Sequence, residues 1–206
     1  MNEKFFSLPQ EKQMAILNAG YRVFAQNSYK HSPMQEVADE AGISKALLFH
    51  YFHNKKEFYL FLLDTGARTT VEYLTKCGCY EQEDLFGAMY LGMKAKVEVM
   101  RRYPDMTAFV LKAYYEKDEE VIGEVGKLIQ KYGGFRANAY LVNLAPEKFR
   151  PGLDLKMMYL DMFWASEGYL WEKVQQGEFD VDAMEGDFTR LLDFWKSIYL
   201  REEEES

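Results

Sequence analysis

The chain has 206 residues, 48% hydrophobic and 28% charged, with a net charge of -8, which suffices for one small and one medium helical domain without any stretch that must be disordered. The start, MNEKFFSLPQEKQ, is polar, and the longest early apolar run, residues 58–63, is far shorter than the ~20 residues of a membrane span, so a cytoplasmic protein is expected. The acidic balance would argue against a nucleic-acid partner, yet residues 1–60 hold seven Lys and Arg against six Asp and Glu, a net +1 that leaves -9 to the rest. All three histidines, His31, His50 and His53, also lie there and would gain positive charge near phosphates.

The most informative stretch is SPMQEVADEAGISKALLFHYFHNKK, residues 32–56. Ser32 is an N-cap residue type, Pro33 suits the first helical position, and Glu36 lies near the positive end of the helix dipole. Val37, Ala38 and Ala41 form an apolar stripe, and Gly42 supplies the positive φ with which a chain leaves a helix. Ile43 plugs the turn, Ser44 caps a second helix, and Leu48, Tyr51 and Phe52 give that helix an inward face. A small residue at the crossing, no side chain at the turn and an aliphatic closing the corner are what a helix-turn-helix requires. Ser44, Lys45, Ala46, Leu47 and His50 then face outward at the start of the second helix, where recognition helices meet base edges. Ala46 and Leu47 suit thymine methyls, and Ser44 and Lys45 suit phosphates or bases. Asn54, Lys55 and Lys56 begin the next helix, so backbone N–H groups and two ammonium groups are expected to converge on a phosphate.

The runs ILNAGYRVF (residues 16–24) and MQEVADEAGISKALLFHYFHNKKEFY (residues 34–59) resemble the N-terminal DNA-binding domain of the TetR family of transcriptional regulators. The hallmark A-G-[IV]-S-K…[YF]-H-Y-F…K-[ED] is matched by residues 41–45, residues 49–52, and Lys55 with Glu57. The resemblance implies DNA contacts from Ser32, Ser44, Lys45, Leu47, His50, Tyr51 and Lys55. It also implies a larger all-helical domain that binds a small molecule and dimerises through its last two long helices. Leu47 stands where many members have a small polar residue, so base preference is not read from it, and Phe49, lacking the more usual tyrosine hydroxyl, is assigned to the core.

Further helices are expected at about residues 54–76, 83–102, 105–116, 118–144, 153–176 and 182–200, with stops at Pro104, Pro146 and Gly177 and with Gly133-Gly134 able to kink or split the fourth. The fold class is therefore all-α: a DNA-binding domain over 1–53, a ligand-binding and dimerisation domain over 54–201, and an acidic tail over 202–206. The helix from Asn54 is expected to transmit motion between the first two. On the last two helices, Met157, Leu160, Trp164, Trp171 and Val174, and Met184, Phe188, Leu191, Trp195 and Ile198, recur at three- and four-residue steps. A reader of palindromic DNA needs a two-fold partner, so Trp164, Trp171, Phe188, Leu191 and Trp195 are the candidate dimer residues. Met89, Met93, Phe109, Tyr114, Phe135 and Trp164 are the candidate walls of a pocket for a bulky apolar or aromatic ligand. Arg68, Glu98, Glu167 and Glu172 are its candidate polar anchors.

His50 and His53 lack a third ligand at metal-binding spacing, and Cys77 and Cys79 lack a second pair, so no metal or cofactor is expected and reduced thiols are the reading preferred over a redox role. No nucleophile–base pair or Gly-rich phosphate loop marks an enzyme. The resemblance implies a ligand-responsive regulator, in this family most often a repressor, that binds a palindromic operator as a homodimer and is released by a small molecule. The alternative is a helical carrier or sensor without DNA control.

Overall fold

In a computed structural model of the protein, residues 3–141, 144–177 and 180–201 are described, with backbone alone for 133–141. Ten α-helices account for most of them, and no strand occurs among the described residues. They are α1 (Glu3–Phe6), α2 (Gln10–Gln26), α3 (Met34–Glu40), α4 (Lys45–Phe52), α5 (Lys55–Lys76), α6 (Leu85–Arg102), α7 (Met106–Tyr114), α8 (Ile122–Leu141), α9 (Leu155–Gln176) and α10 (Val181–Tyr199). Short 3-10 turns occupy Cys79–Glu81 and Pro146–Lys148.

Several boundaries follow from identifiable side chains. Asp118 accepts the Glu120 N–H at 3.0 Å and holds a turn, so the helix expected from 118 begins only at Ile122. Helical backbone then continues through Gly133-Gly134. Asp154 and Asp180 accept the first N–H groups of α9 and α10 and fix those starts. The expected acidic tail and the side chains of Phe135 and Tyr140 lie outside the described residues.

The chain divides into two compact units, one of Met1–Thr69 with Arg102–Tyr132 and the other of Thr70–Arg101 with Gly133–Ser206. In the first, α2 packs against α3 and α7. Its tightest point is Gly20, where an added Cβ would sit 2.6 Å from the Phe58 ring and 2.7 Å from Leu62. One residue on, the Tyr21 hydroxyl donates to the Leu62 carbonyl at 3.2 Å, and burial pushes that phenol well above its usual range. Around this approach Phe24, Tyr59 and Phe109 stack edge-on or tilted, with centroids 4.9–6.0 Å apart. The short α1, which the sequence reading did not anticipate, buries Phe5 against Phe52 and Phe61 at 5.1 and 5.3 Å.

The second unit is built on Leu85, Phe86, Phe149, Met158, Met162, Leu192 and Trp195. Its chain end is tied down by an isolated bridge, with Arg150 N–H donating to Tyr199 O and Arg201 N–H to Lys148 O, both at 3.0 Å. A smaller cluster holds Leu74, Cys79 and Ala95.

Gly20→Ala forces a methyl into space already filled by two buried side chains. Thermal or urea unfolding should show a loss of about 1–3 kcal/mol, the usual cost of overpacking. An unchanged midpoint would mean the α2–α5 approach is looser than described.

Candidate nucleic-acid interface and ligand cavity

The helix-turn-helix geometry is set by a few backbone and cap bonds. At the end of α3, Gly42 takes φ 66°. The Gly42 N–H donates to Asp39 O at 3.1 Å and the Ile43 N–H to Ala38 O at 3.0 Å, closing the helix and reversing the chain. Ser44 Oγ accepts the Leu47 N–H at 3.1 Å and starts α4. Val37 and Ala38 of α3 and Leu48 and Phe52 of α4 are fully buried. With that face fixed inward, Ser44, Lys45, Ala46, Leu47 and His50 stand together on the exposed face of α4. Phe49 is only half-buried, and the Lys45 ammonium lies 5.8 Å over its ring.

Four expected contributors are placed differently. Ser32 does not cap α3: Pro33 holds the cap position, and Ser32 is buried with its hydroxyl donating to the Ser28 carbonyl at 2.8 Å. Tyr51 is largely buried, its ring edge-on to Phe5 at 6.5 Å. Lys55 and Lys56 begin α5, which Asn54 Oδ1 caps by accepting the Glu57 N–H at 2.8 Å, but their ammonium groups diverge. Lys55 Nζ donates to Lys30 O at 3.1 Å and lies 5.0 Å over the Tyr29 ring. Lys56 pairs with Glu124 at 3.0 Å.

An acidic turn between α7 and α8 surrounds these lysines. Glu116 accepts the Tyr29 N–H at 2.9 Å, and Glu120, Asp118 and Glu116 act on Lys55 electrostatically. Burial lowers the Lys55 pKa from its ordinary value, against the pull of those three carboxylates.

An open-mouthed cavity lies wholly within the second unit, between α6, α9 and α10. Met89, Met93 and Met100 come from α6, Tyr159 and Phe163 from α9, and Met184 and Phe188 from α10. Lys96, Ser166 and Glu167 add polar groups to an otherwise apolar wall. The Tyr169 hydroxyl at its edge donates to Asp187 at 2.6 Å, and Asp187 also receives Arg190.

Of the pocket residues expected from sequence, Met89 and Met93 line this cavity. Phe109 does not: it is wholly buried in the first unit among Tyr21, Phe24 and Tyr59. Tyr114 and Trp164 are exposed, Trp164 at 58%. Of the four candidate anchors, Glu167 is in the lining. Of the expected dimer residues, Trp164 is exposed, while Trp171 and Leu191 are partly buried. Phe188 faces the cavity, and Trp195 is buried at 3% with its ring 6.2 Å from Phe188. The periodic stripe of α10 therefore faces inward from Met184 to Trp195, while its last member, Ile198, is exposed, as is Phe194 beside Trp195. Lys96, Tyr159 and Phe163 escaped the sequence reading; Met184 did not, but was placed on the dimer stripe.

Residues 16–60 match the family profile described as "Bacterial regulatory proteins, tetR family". Over 63 residues, 30% of this chain, the sequence is 38% identical to the HTH-type transcriptional activator FasR of Mycolicibacterium smegmatis, and the match spans 29% of that protein. A TetR family transcriptional regulator from Chloroflexus aurantiacus shares the fold at TM-score 0.67 and 20% identity, with 97% of this chain and 98% of that one covered. The TetR-like regulator LfrR of Mycobacterium smegmatis, solved in complex with proflavine, aligns at TM-score 0.60 and 13% identity over 89% of this chain and 96% of that one.

Ser44→Ala removes the one side-chain acceptor at the start of α4. Chemical denaturation should register a loss of about 1 kcal/mol, and Ser44→Asp should retain most of the stability; equal stability of wild type and alanine variant would mean the cap is not formed.

Proposed function

We propose that this chain, a DNA-binding transcriptional regulator of the tetR family, is a repressor that binds a palindromic operator as a homodimer and is released by a bulky apolar or aromatic small molecule. The observation that carries the reading is the exposed start of α4, where Ser44, Lys45, Ala46, Leu47 and His50 share one face on a helix whose other side is locked in the core. Residues 1–53, with Lys55 just beyond them, supply the DNA contacts and the rest of 54–201 the ligand and dimer contacts, in a cytoplasmic protein; no helix among the described residues is long and apolar enough to cross a membrane.

A two-fold DNA site needs two copies, and the last two helices offer the surface. Met157 and Trp164 on α9 and Phe194 and Ile198 on α10 are exposed large apolar side chains that a partner would cover. The effector enters the α6–α9–α10 cavity, whose methionines adapt to ligands of irregular shape while its rings stack on flat ones. LfrR with its proflavine is a structural relative with such a ligand. In the free dimer the recognition helices lie about one DNA turn apart, ~34–36 Å, and ligand favours a state with the wrong spacing.

Two sets of variants test the reading on DNA from upstream of the gene. Lys55→Ala should weaken binding and flatten the salt dependence by about one unit of slope, whereas Glu124→Gln, which frees Lys56 from its exposed ion pair, should tighten binding at low salt by at most about fivefold. Fluorescence anisotropy across a salt series reads both. If the wild type shifts no upstream sequence yet retains a co-purifying ligand, the carrier reading replaces this one. Trp164→Glu combined with Phe194→Glu should give a monomer in sedimentation velocity and abolish specific DNA binding; a dimer that survives both changes would move the interface elsewhere.

A further inference from the structure

Cys77 and Cys79 are the chain's only cysteines, neither is in a disulfide, and the proposed repressor mechanism makes no use of them. They close the end of α5 and open the 3-10 turn that follows. Both sulfurs converge on one atom: Cys77 Sγ donates to the Leu74 carbonyl at 3.1 Å and Cys79 Sγ donates to the same carbonyl at 3.2 Å. Two sulfurs bonded to one oxygen lie within roughly 6 Å of each other, close enough for side-chain rotation and a small backbone adjustment to bring them to bonding distance. Gly78 between them takes φ 70°, and a Cβ there would meet nothing nearer than 3.7 Å, so the space beside its Cα is open. Among the described residues no group of three or more His, Cys, Asp or Glu is placed to hold a metal ion, so the pair is not part of such a centre.

From this geometry we propose that Cys77 and Cys79 are a peroxide-oxidised dithiol site that closes to an intramolecular disulfide. The two thiols differ in access: Cys77 is half-buried and Cys79 is buried at 1%. Cys77 therefore reacts first. Its thiolate attacks hydrogen peroxide, the O–O bond breaks, and a sulfenic acid forms while the departing hydroxide takes up a proton to become water. Cys79 then attacks the sulfenic sulfur, the S–O bond breaks, a second water leaves and the S–S bond closes. Two electrons pass from the thiols to one peroxide, and a dithiol such as dithiothreitol returns them. The Cys77 sulfur lies at a helix C-terminus, so the first step is slow and the closure, between groups already held together, is fast. Closing the bond draws Cys79 away from Leu74 and Ala95, and Ala95 stands on α6 between the cavity residues Met93 and Lys96.

Intact mass of the full chain decides the matter. After hydrogen peroxide treatment, unfolding in guanidinium and alkylation with iodoacetamide, the protein should have lost the mass of two hydrogens and carry no adduct, and dithiothreitol before alkylation should restore two adducts. Cys79→Ala, which keeps the small apolar space filled, should instead stop at a sulfenic acid on Cys77 that dimedone captures. Two alkylatable thiols after peroxide, independent oxidation of each sulfur to sulfinic acid, or a disulfide that joins two chains would each overturn the proposal.

Discussion

The burial of Phe52 is the constraint on which the exposed face of α4, the proposed reading face, depends. It is the last residue of α4, it is fully buried, and its ring meets Phe58 at 4.6 Å, Phe61 at 5.0 Å and Phe5 at 5.1 Å. Three elements, α1, α4 and α5, are thereby held on one aromatic centre. Once Phe52 and Leu48 are fixed inward, helical periodicity leaves no choice about which residues face outward, and Ser44, Lys45, Ala46, Leu47 and His50 are those residues. The reading surface is a by-product of packing behind it.

Charge acts as a second, opposing constraint. The lysines that open α5 are the natural phosphate ligands of such a domain, yet one lies over Tyr29 among Glu116, Asp118 and Glu120 and the other is paired with Glu124. The carboxylates of the α7–α8 turn occupy the role that phosphates would take. On the proposed function, that arrangement weakens sequence-independent attraction and leaves discrimination to the outward face of α4.

What could be read from the sequence was local. Gly42, Ser44 and Asn54 act within three or four residues of themselves, and each takes the expected turn or cap. Ser32 misled because α3 starts one residue later, with Pro33 at the cap position, and its buried hydroxyl turns back to donate to the Ser28 carbonyl. Lys55 and Lys56 misled because their partners, Glu116 to Glu124, come from more than sixty residues away and no spacing rule connects them. Phe5 was invisible since four residues of α1 carry no periodicity. On α10 the stripe through Phe188 and Trp195 was legible as apolar, but periodicity does not say whether a stripe faces its own core or a partner, and the structure turns it inward. Phe109 failed for a related reason: an aromatic that fills a core and one that lines a cavity have the same signature.

Footprinting with DNase I across the DNA upstream of the gene tests the central claim most directly. The account predicts protection of two inverted half-sites whose centres lie about one helical turn apart or a multiple of it, with protection lost when Lys45 and Leu47 are both replaced by alanine. Protection of a single unrepeated half-site, or none that depends on those two residues, would contradict it.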